Sequence, residues 1–210
     1  MAFSTIAPER TGLLFFDMLN VYYRHPNGEI KSKALETVLA NAVRLRDAAR
    51  GARLPIFYAI ADHRADGSDT DPLLTDTDMR LNPWKDPDQL GKQVPAARHD
   101  SWEAKVIDEI APEASDYLIH KHRWSAFFQT HLELSLRTRG IDTVLLSGGS
   151  TEVGVASTAY SARDMGINLI IVRDACSSSY PEILDMYMDK VFPRMGRVRT
   201  TQQAIEMIRK

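Results

Sequence analysis

Short runs of consecutive apolar residues alternate along the chain with longer stretches whose apolar positions recur every three or four residues. The first pattern marks strands covered on both faces and the second marks amphipathic helices. Strands are predicted at Gly12 to Asp17, Pro55 to Ala61, Tyr117 to Lys121, Thr143 to Ser147, Asn168 to Asp174 and, briefly, Arg197 to Thr200. Helices are predicted at Lys33 to Arg50, Trp102 to Ile110, Ala126 to Arg139, Glu152 to Met165, Pro181 to Val191 and Gln202 to Ile208. Gly140 and Gly166 stand where a helix C-terminus wants a residue tolerant of positive φ. Right-handed crossovers then leave few arrangements other than an α/β fold, a three-layer α/β/α sandwich around a six-stranded parallel sheet, Rossmann-like in kind. One stretch breaks the rhythm: Asp62 to Asp100 carries Pro72, Pro83, Pro87 and Pro95 with little periodicity. A connection this long is expected to be a lid, a binding loop or an oligomer contact, or else an irregular surface excursion.

At 210 residues the chain fits one domain spanning its whole length. With 26 basic and 28 acidic side chains the formal charge is -2, so no positive excess exists to neutralise nucleic acid or an anionic membrane. Neither is expected as a partner. The lone Cys176 cannot form an internal disulfide, and the opening MAFSTIAPER lacks the blocks of a secretory signal, which makes the cytoplasm the expected location. No apolar run approaches the roughly 20 residues that span a bilayer.

Ligands of open α/β sheets bind beyond the carboxyl ends of the strands, where the strand order reverses. That rule selects Asp17, Lys121 and the turn Gly148-Gly149-Ser150-Thr151-Glu152-Val153-Gly154, which opens a helix. A carboxylate that ends an apolar run must be partnered or solvated, or must cap a helix. Lys121 lies in His120-Lys121-His122-Arg123-Trp124, and its simplest alternative role is in a solvated basic patch. The turn reads in three ways. As a phosphate cradle it offers glycines and a helix N-terminus, with Asp174 in the place of a ribose-binding acid, but it lacks the G-x-G-x-x-G spacing. As a nucleophile elbow it lacks G-x-S-x-G. As an oxyanion site it presents the backbone N–H groups around Ser150 and Gly154. The six histidines, His25, His63, His99, His120, His122 and His131, include no H-E-x-x-H, and Asp62-His63 are adjacent, so no intrinsic metal and no cofactor are expected. Cys176 has no neighbouring histidine and reads as unreactive.

Taken together, Leu14-Phe15-Phe16-Asp17-Met18, Lys121-His122-Arg123-Trp124-Ser125-Ala126-Phe127, Gly148-Gly149-Ser150-Thr151-Glu152-Val153-Gly154-Val155 with Ser157-Thr158-Ala159, and Arg197-Val198-Arg199-Thr200 resemble the isochorismatase-like hydrolase family, also called the cysteine hydrolase superfamily. Most members use an Asp-Lys-Cys triad at positions matching Asp17, Lys121 and Gly154. Here glycine stands in the nucleophile's place, so the chain looks like the subgroup that includes vinyl-ether-cleaving isochorismatases. Leu19 replaces a frequent glutamine, and the aromatic and histidine that isochorismatases carry near Ser150 and Glu152 are missing, so the resemblance implies a changed substrate. Family members often carry a cis peptide that falls here at Gly149-Ser150. Homo-oligomers, dimeric or tetrameric, are common among them, and the stretch Met186, Tyr187, Met188 is a candidate contact.

The resemblance implies a hydrolase acting on a small polar organic substrate, at a vinyl ether or a C–N or C–O bond. Asp17, Lys121 and Gly154 form its catalytic set, and Ser150, Thr151, Trp124 and Arg123 bind substrate. Arg64 and Lys85 are further candidates for reading a carboxylate. Deleting the cysteine side chain is expected to leave a space that holds the attacking water. Asp17 would then act as base, favoured by the neighbouring Lys121, or as acid, favoured by burial. A space filled instead by hydrocarbon would argue for a non-catalytic binding or scaffold member. An amidohydrolase using Ser150 or Thr151 is the remaining alternative.

Overall fold

The computed structural model describes residues 5–70 and 96–209. Six strands form one all-parallel sheet: β1 (Thr11–Phe16), β2 (Ile56–Ala61), β3 (Tyr117–Lys121), β4 (Thr143–Gly148), β5 (Asn168–Cys176) and β6 (Arg197–Arg199). Their order is β3-β2-β1-β4-β5-β6, so the direction of winding reverses between β1 and β4. The helices are α1 (Asn20–Tyr23), α2 (Lys33–Gly51), α3 (Leu132–Thr138), α4 (Ala156–Asp164), α5 (Pro181–Met186) and α6 (Thr201–Ile208).

Alternation along β1 divides the core in two, because successive side chains point to opposite faces. Leu13 and Phe15 join Ile56, Tyr58 and the α2 residues Leu39, Ala42 and Leu45, with Ala204 and Met207 of α6 on the same side. Leu14 and Phe16 join Phe57, Ala59, Ile119 and the α3 and α4 residues Leu136, Ala156 and Ala159. Every residue of β1, β2 and β4 is buried, as apolar runs covered on both faces require.

Two predicted helices are corrected. Trp102 to Ile110 is not an α-helix. Leu19 pairs with Val106 in an antiparallel bridge, the amides of Asn20 and Val21 donate to the carbonyls of Lys105 and Glu103, and only Asp108–Ile110 winds into a 3₁₀ turn. Its apolar residues still reach the core, where Ile107 and Ile110 are fully buried. Ala126 to Arg139 is helical only over α3, because Gln129 takes a positive φ of 54° and the Thr130 hydroxyl bonds back to the Ala126 carbonyl. The predicted Glu152 to Met165 begins as a wide π-type turn over Thr151–Val155 before α4, and a second such turn, Tyr187–Val191, follows α5.

The excursion after β2 leaves and returns beside the rim: the His63 amide donates to the Ala97 carbonyl and the His99 amide to the His63 carbonyl. Pro72, Pro83, Pro87, Pro95 and Lys85 lie outside the described residues. Met188 is buried in the core and Tyr187 packs against it, so of the expected oligomer stretch Met186 alone is exposed. Among the described residues no helix is long and apolar enough to cross a membrane.

Candidate functional site

β1 delivers Asp17 to the reversal point one residue past its last paired position, with φ at 47°, in the left-handed region that L-residues seldom adopt. The Asp17 amide donates to the Ala59 carbonyl, and its carboxylate accepts the Ala61 N–H at 2.8 Å on Oδ1. Lys121, at the end of β3, reaches across β2 and donates to Oδ2 at 2.7 Å. The two expected partners therefore meet, and both are buried, at 7% and 5% exposure.

Burial holds the Asp17 carboxyl above the ordinary carboxylate range. It outweighs the Lys121 charge and hydrogen bond, the Ala61 amide and the more distant His63, all of which pull the other way. Burial thus pushes Asp17 toward its acid form, while Lys121 and the Ala61 amide pull it toward the carboxylate.

The turn after β4 has a cis peptide at Gly149-Ser150, as the resemblance implied. It does not present the expected pair of amides. The N–H groups of Val153, Gly154 and Val155 converge on the Ser150 carbonyl at 3.1–3.3 Å, so the Gly154 amide already has its acceptor. Among the described residues the Ser150 amide makes no hydrogen bond, and it alone of the two is free for a substrate oxygen.

The space at position 154 is not open. An ideal Cβ built on Gly154 would lie 2.0 and 2.2 Å from two carbons of the Phe16 ring, distances no real contact tolerates. Phe16 is 1% exposed and its ring stands 4.4 Å from Lys121 Nζ. The water expected where a cysteine side chain would begin is therefore displaced by hydrocarbon. That expectation is overturned, and the physical reason is the bulk of the residue that precedes Asp17.

The expected substrate-binding residues separate. Ser150 is half-buried beside the turn. Thr151 is completely buried, and both its amide and its hydroxyl donate to the Ser177 carbonyl at 2.8 Å. Trp124 is exposed at 45%. Arg123 donates to the carbonyls of His122 and Asp69, bracing the excursion, and exposed Arg64 pairs with Asp66. The Asp174 carboxylate, the candidate ribose-binding acid, accepts the amide and hydroxyl of Thr201 at the start of α6. Cys176 is buried and its thiol is pushed up to about 12 by that burial, in keeping with an unreactive residue.

Two participants escape sequence reading. Phe16 is indistinguishable from its apolar neighbours until the fold brings β1 against the β4 turn. His63, two residues beyond β2, stands close enough to Asp17 and Lys121 to exchange electrostatic influence with both, and burial lowers its own pKa. The strand-end rule that found Asp17 applies equally to His63. Adjacency of Asp62 and His63 argued against a metal, but the fold groups His63 with Asp69 and His122 instead. One donor atom from each lies within 4.8 Å of the others, so these are the described residues that a cation would use. Their own contacts are His63 to Asp69 at 3.6 Å and His122 to Asp69 at 3.3 Å.

The chain is similar to several known proteins. The isochorismatase domain family matches residues 11–203. YwoC of Bacillus subtilis, an uncharacterised isochorismatase family protein, is 41% identical over 106 residues, covering 50% of this chain and 56% of its own. YecD of Escherichia coli O157:H7, also uncharacterised, is 45% identical over 94 residues, 45% of this chain and 50% of its own, so the chain spans about half the length of these relatives. N-carbamoylsarcosine amidase of an Arthrobacter species is 28% identical over 95% of this chain and 71% of its own. Among solved structures, a cysteine hydrolase from Pseudomonas syringae superposes with a TM-score of 0.81 at 24% identity, over 97% of this chain and 94% of that one. N-carbamoylsarcosine amidase from Thermoplasma acidophilum superposes with a TM-score of 0.70 at 26% identity, over 91% and 96%. A sheet reversing at β1 and β4, a buried Asp–Lys pair at that reversal, and a family match across nearly all of the chain lead to one conclusion: this protein belongs to the isochorismatase family.

Proposed function

We propose that the chain is a hydrolase of small polar organic molecules that uses Asp17 as a general acid and forms no covalent intermediate. The observation that carries this reading is the burial of Asp17, which keeps its carboxyl protonated further up the pH scale than a solvated aspartate despite the adjacent Lys121. The bond best suited to such an acid is a vinyl ether. Protonation of its terminal carbon by Asp17 gives an oxocarbenium ion, water adds to the cationic carbon, and the resulting hemiketal expels the alcohol. The water approaches from the face of the substrate away from Phe16, since the ring occupies the space beside Gly154. Lys121 stabilises the carboxylate left after proton transfer, the proton released by the added water returns Asp17 to its acid form, and the Ser150 amide is placed to hold a substrate oxygen.

The test is turnover of a panel of vinyl ethers, amides and esters, with the pH dependence of kcat/KM. A general acid works while protonated, so activity falls as pH rises through the elevated Asp17 pKa, and Asp17→Asn abolishes it. Loss confined to the acid side would assign Asp17 as a base and end this reading. A second reading, ligand binding without catalysis, is favoured by one observation, the filling of position 154 by Phe16. Saturable ligand binding with no turnover of any class would establish it. The Ser150 or Thr151 amidohydrolase is weakened by the engagement of Thr151 with Ser177.

A further inference from the structure

Phe16 ends β1 with its ring wedged between two elements of the site. An ammonium has three N–H donors. One of those on Lys121 goes to Asp17 at 2.7 Å, and the Phe16 ring centroid lies 4.4 Å from Nζ, inside the about 6 Å over which a ring face attracts a cation. The edge of the same ring lies against the Gly154 backbone, where any Cβ would stand 2.0 Å from it. One apolar side chain therefore touches the lysine on one side and denies position 154 a side chain on the other.

We propose that Phe16 is the specificity-determining residue of this pocket, excluding a nucleophile at position 154 and holding the Lys121 ammonium on Asp17. The exclusion is a matter of packing between β1 and the β4 turn. Its catalytic meaning rests on the general-acid reading: with no side chain at 154, that position offers no group for covalent attack, and Asp17 is left to transfer the proton. Positions 16 and 154 are then coupled, so that either can be large only if the other is small.

A double-mutant cycle in the full chain tests the coupling without any assay of turnover. Gly154→Cys alone inserts a side chain into an occupied space and lowers Tm by roughly 4 to 8 °C. Phe16→Val alone leaves a cavity and also lowers Tm. In Phe16→Val/Gly154→Cys the thiol enters the vacated volume, and the loss is clearly smaller than the sum of the two. Iodoacetamide supplies a second readout: a thiolate displaces iodide from the methylene carbon, forming a thioether and releasing iodide. The double variant gains one adduct, mapped by mass to position 154, while the wild type gains none because Cys176 is buried.

The positioning of Lys121 is read separately by NMR on chain labelled at lysine Cε. Phe16→Leu keeps most of the volume but removes the ring, so the Lys121 Cε proton signals lose their ring-current shift, whereas Phe16→Tyr retains it. Undiminished Tm for Gly154→Cys, additive losses in the cycle, or Lys121 signals unmoved by Phe16→Leu would each overturn the proposal. Failure of the general-acid reading shows elsewhere, as turnover that survives Asp17→Asn, so the two outcomes are distinguishable.

Discussion

Lys121 and Asp17 are bound together by a charge-assisted hydrogen bond inside the protein, where separating them is costly even though forming the pair gives little net stability. Lys121→Met leaves a buried carboxylate with the Ala61 amide as its remaining donor, and the expected cost is about 3 kcal/mol at neutral to alkaline pH. The sign of its pH dependence follows from Asp17. Burial already raises the folded pKa, and loss of the lysine removes the largest opposing influence and raises it further. A raised carboxyl favours the folded state while protonated and disfavours it once ionised. The variant's deficit relative to wild type therefore grows as pH climbs from the wild type's folded carboxyl pKa through the variant's higher one, and shrinks on acidification. Urea unfolding of wild type and variant at two pH values checks this, and a deficit that widens toward acid would contradict it. Asp17 and Lys121 are legible in the sequence because a charge ending an apolar run has few places to go. Phe16 is not, since its importance lies in which surface it faces and no pattern of apolar residues records that.

The turns between strands show the same division. α6 starts with a capping box in which the Thr200 hydroxyl accepts the Gln203 amide and the Gln203 side chain accepts the Thr200 amide, while Asp174 at the end of β5 takes the Thr201 amide. Thr200→Ala removes one half of that exchange and is expected to cost about 1 kcal/mol, seen as a lowered Tm with an unchanged far-ultraviolet spectrum; Thr200→Ser recovers it. Such a cap is a local matter of side chain and backbone, which is why α6 and the long α2, capped by Ser32, fall within a residue or so of their predicted bounds. Trp102 to Ile110 has helical spacing of apolar residues too, yet its Trp102, Glu103 and Lys105 carbonyls accept from Asn20 and Val21, with Asn20 and Trp102 82 positions apart. Periodicity reports which side chains are buried, and a segment laid against a neighbouring strand can bury the same ones. The missing first half of the helix predicted from Ala126 has a local cause: Gln129 takes a positive φ of 54°, through which no α-helix continues.

Across the molecule, the strand order brings three distant stretches to one edge. β1 and β4 are neighbours at the reversal, and β2 lies between β1 and β3 so that Lys121 must pass over it to reach Asp17. A parallel sheet and its crossover handedness follow from strand and helix alternation, but the strand order and the place of the reversal do not. Nor does the anchoring of the excursion. Its outgoing Asp62 carboxylate stands 2.6 Å from the Nδ1 of His120 on β3 and 2.9 Å from that of His99 on the returning limb, so a single acid ties both limbs to the sheet edge beside the site. The hydrogen bond to Asp62 and then its charge, with Asp100 adding to it, raise the pKa of the exposed His99. A histidine whose folded pKa is raised contributes stability that is complete below its unfolded value of 6.5 and disappears as pH rises through the folded one. Asp62→Asn removes the source of that shift. Wild type should therefore exceed the variant in protection of the excursion's base at about pH 5.5, with the gap narrowing by about pH 9. Amide hydrogen exchange of residues 97–99 and 62–64, corrected for intrinsic rates, measures it directly. A gap that is constant across that range would mean that Asp62 holds the limbs by geometry alone, with no part played by the charge of His99.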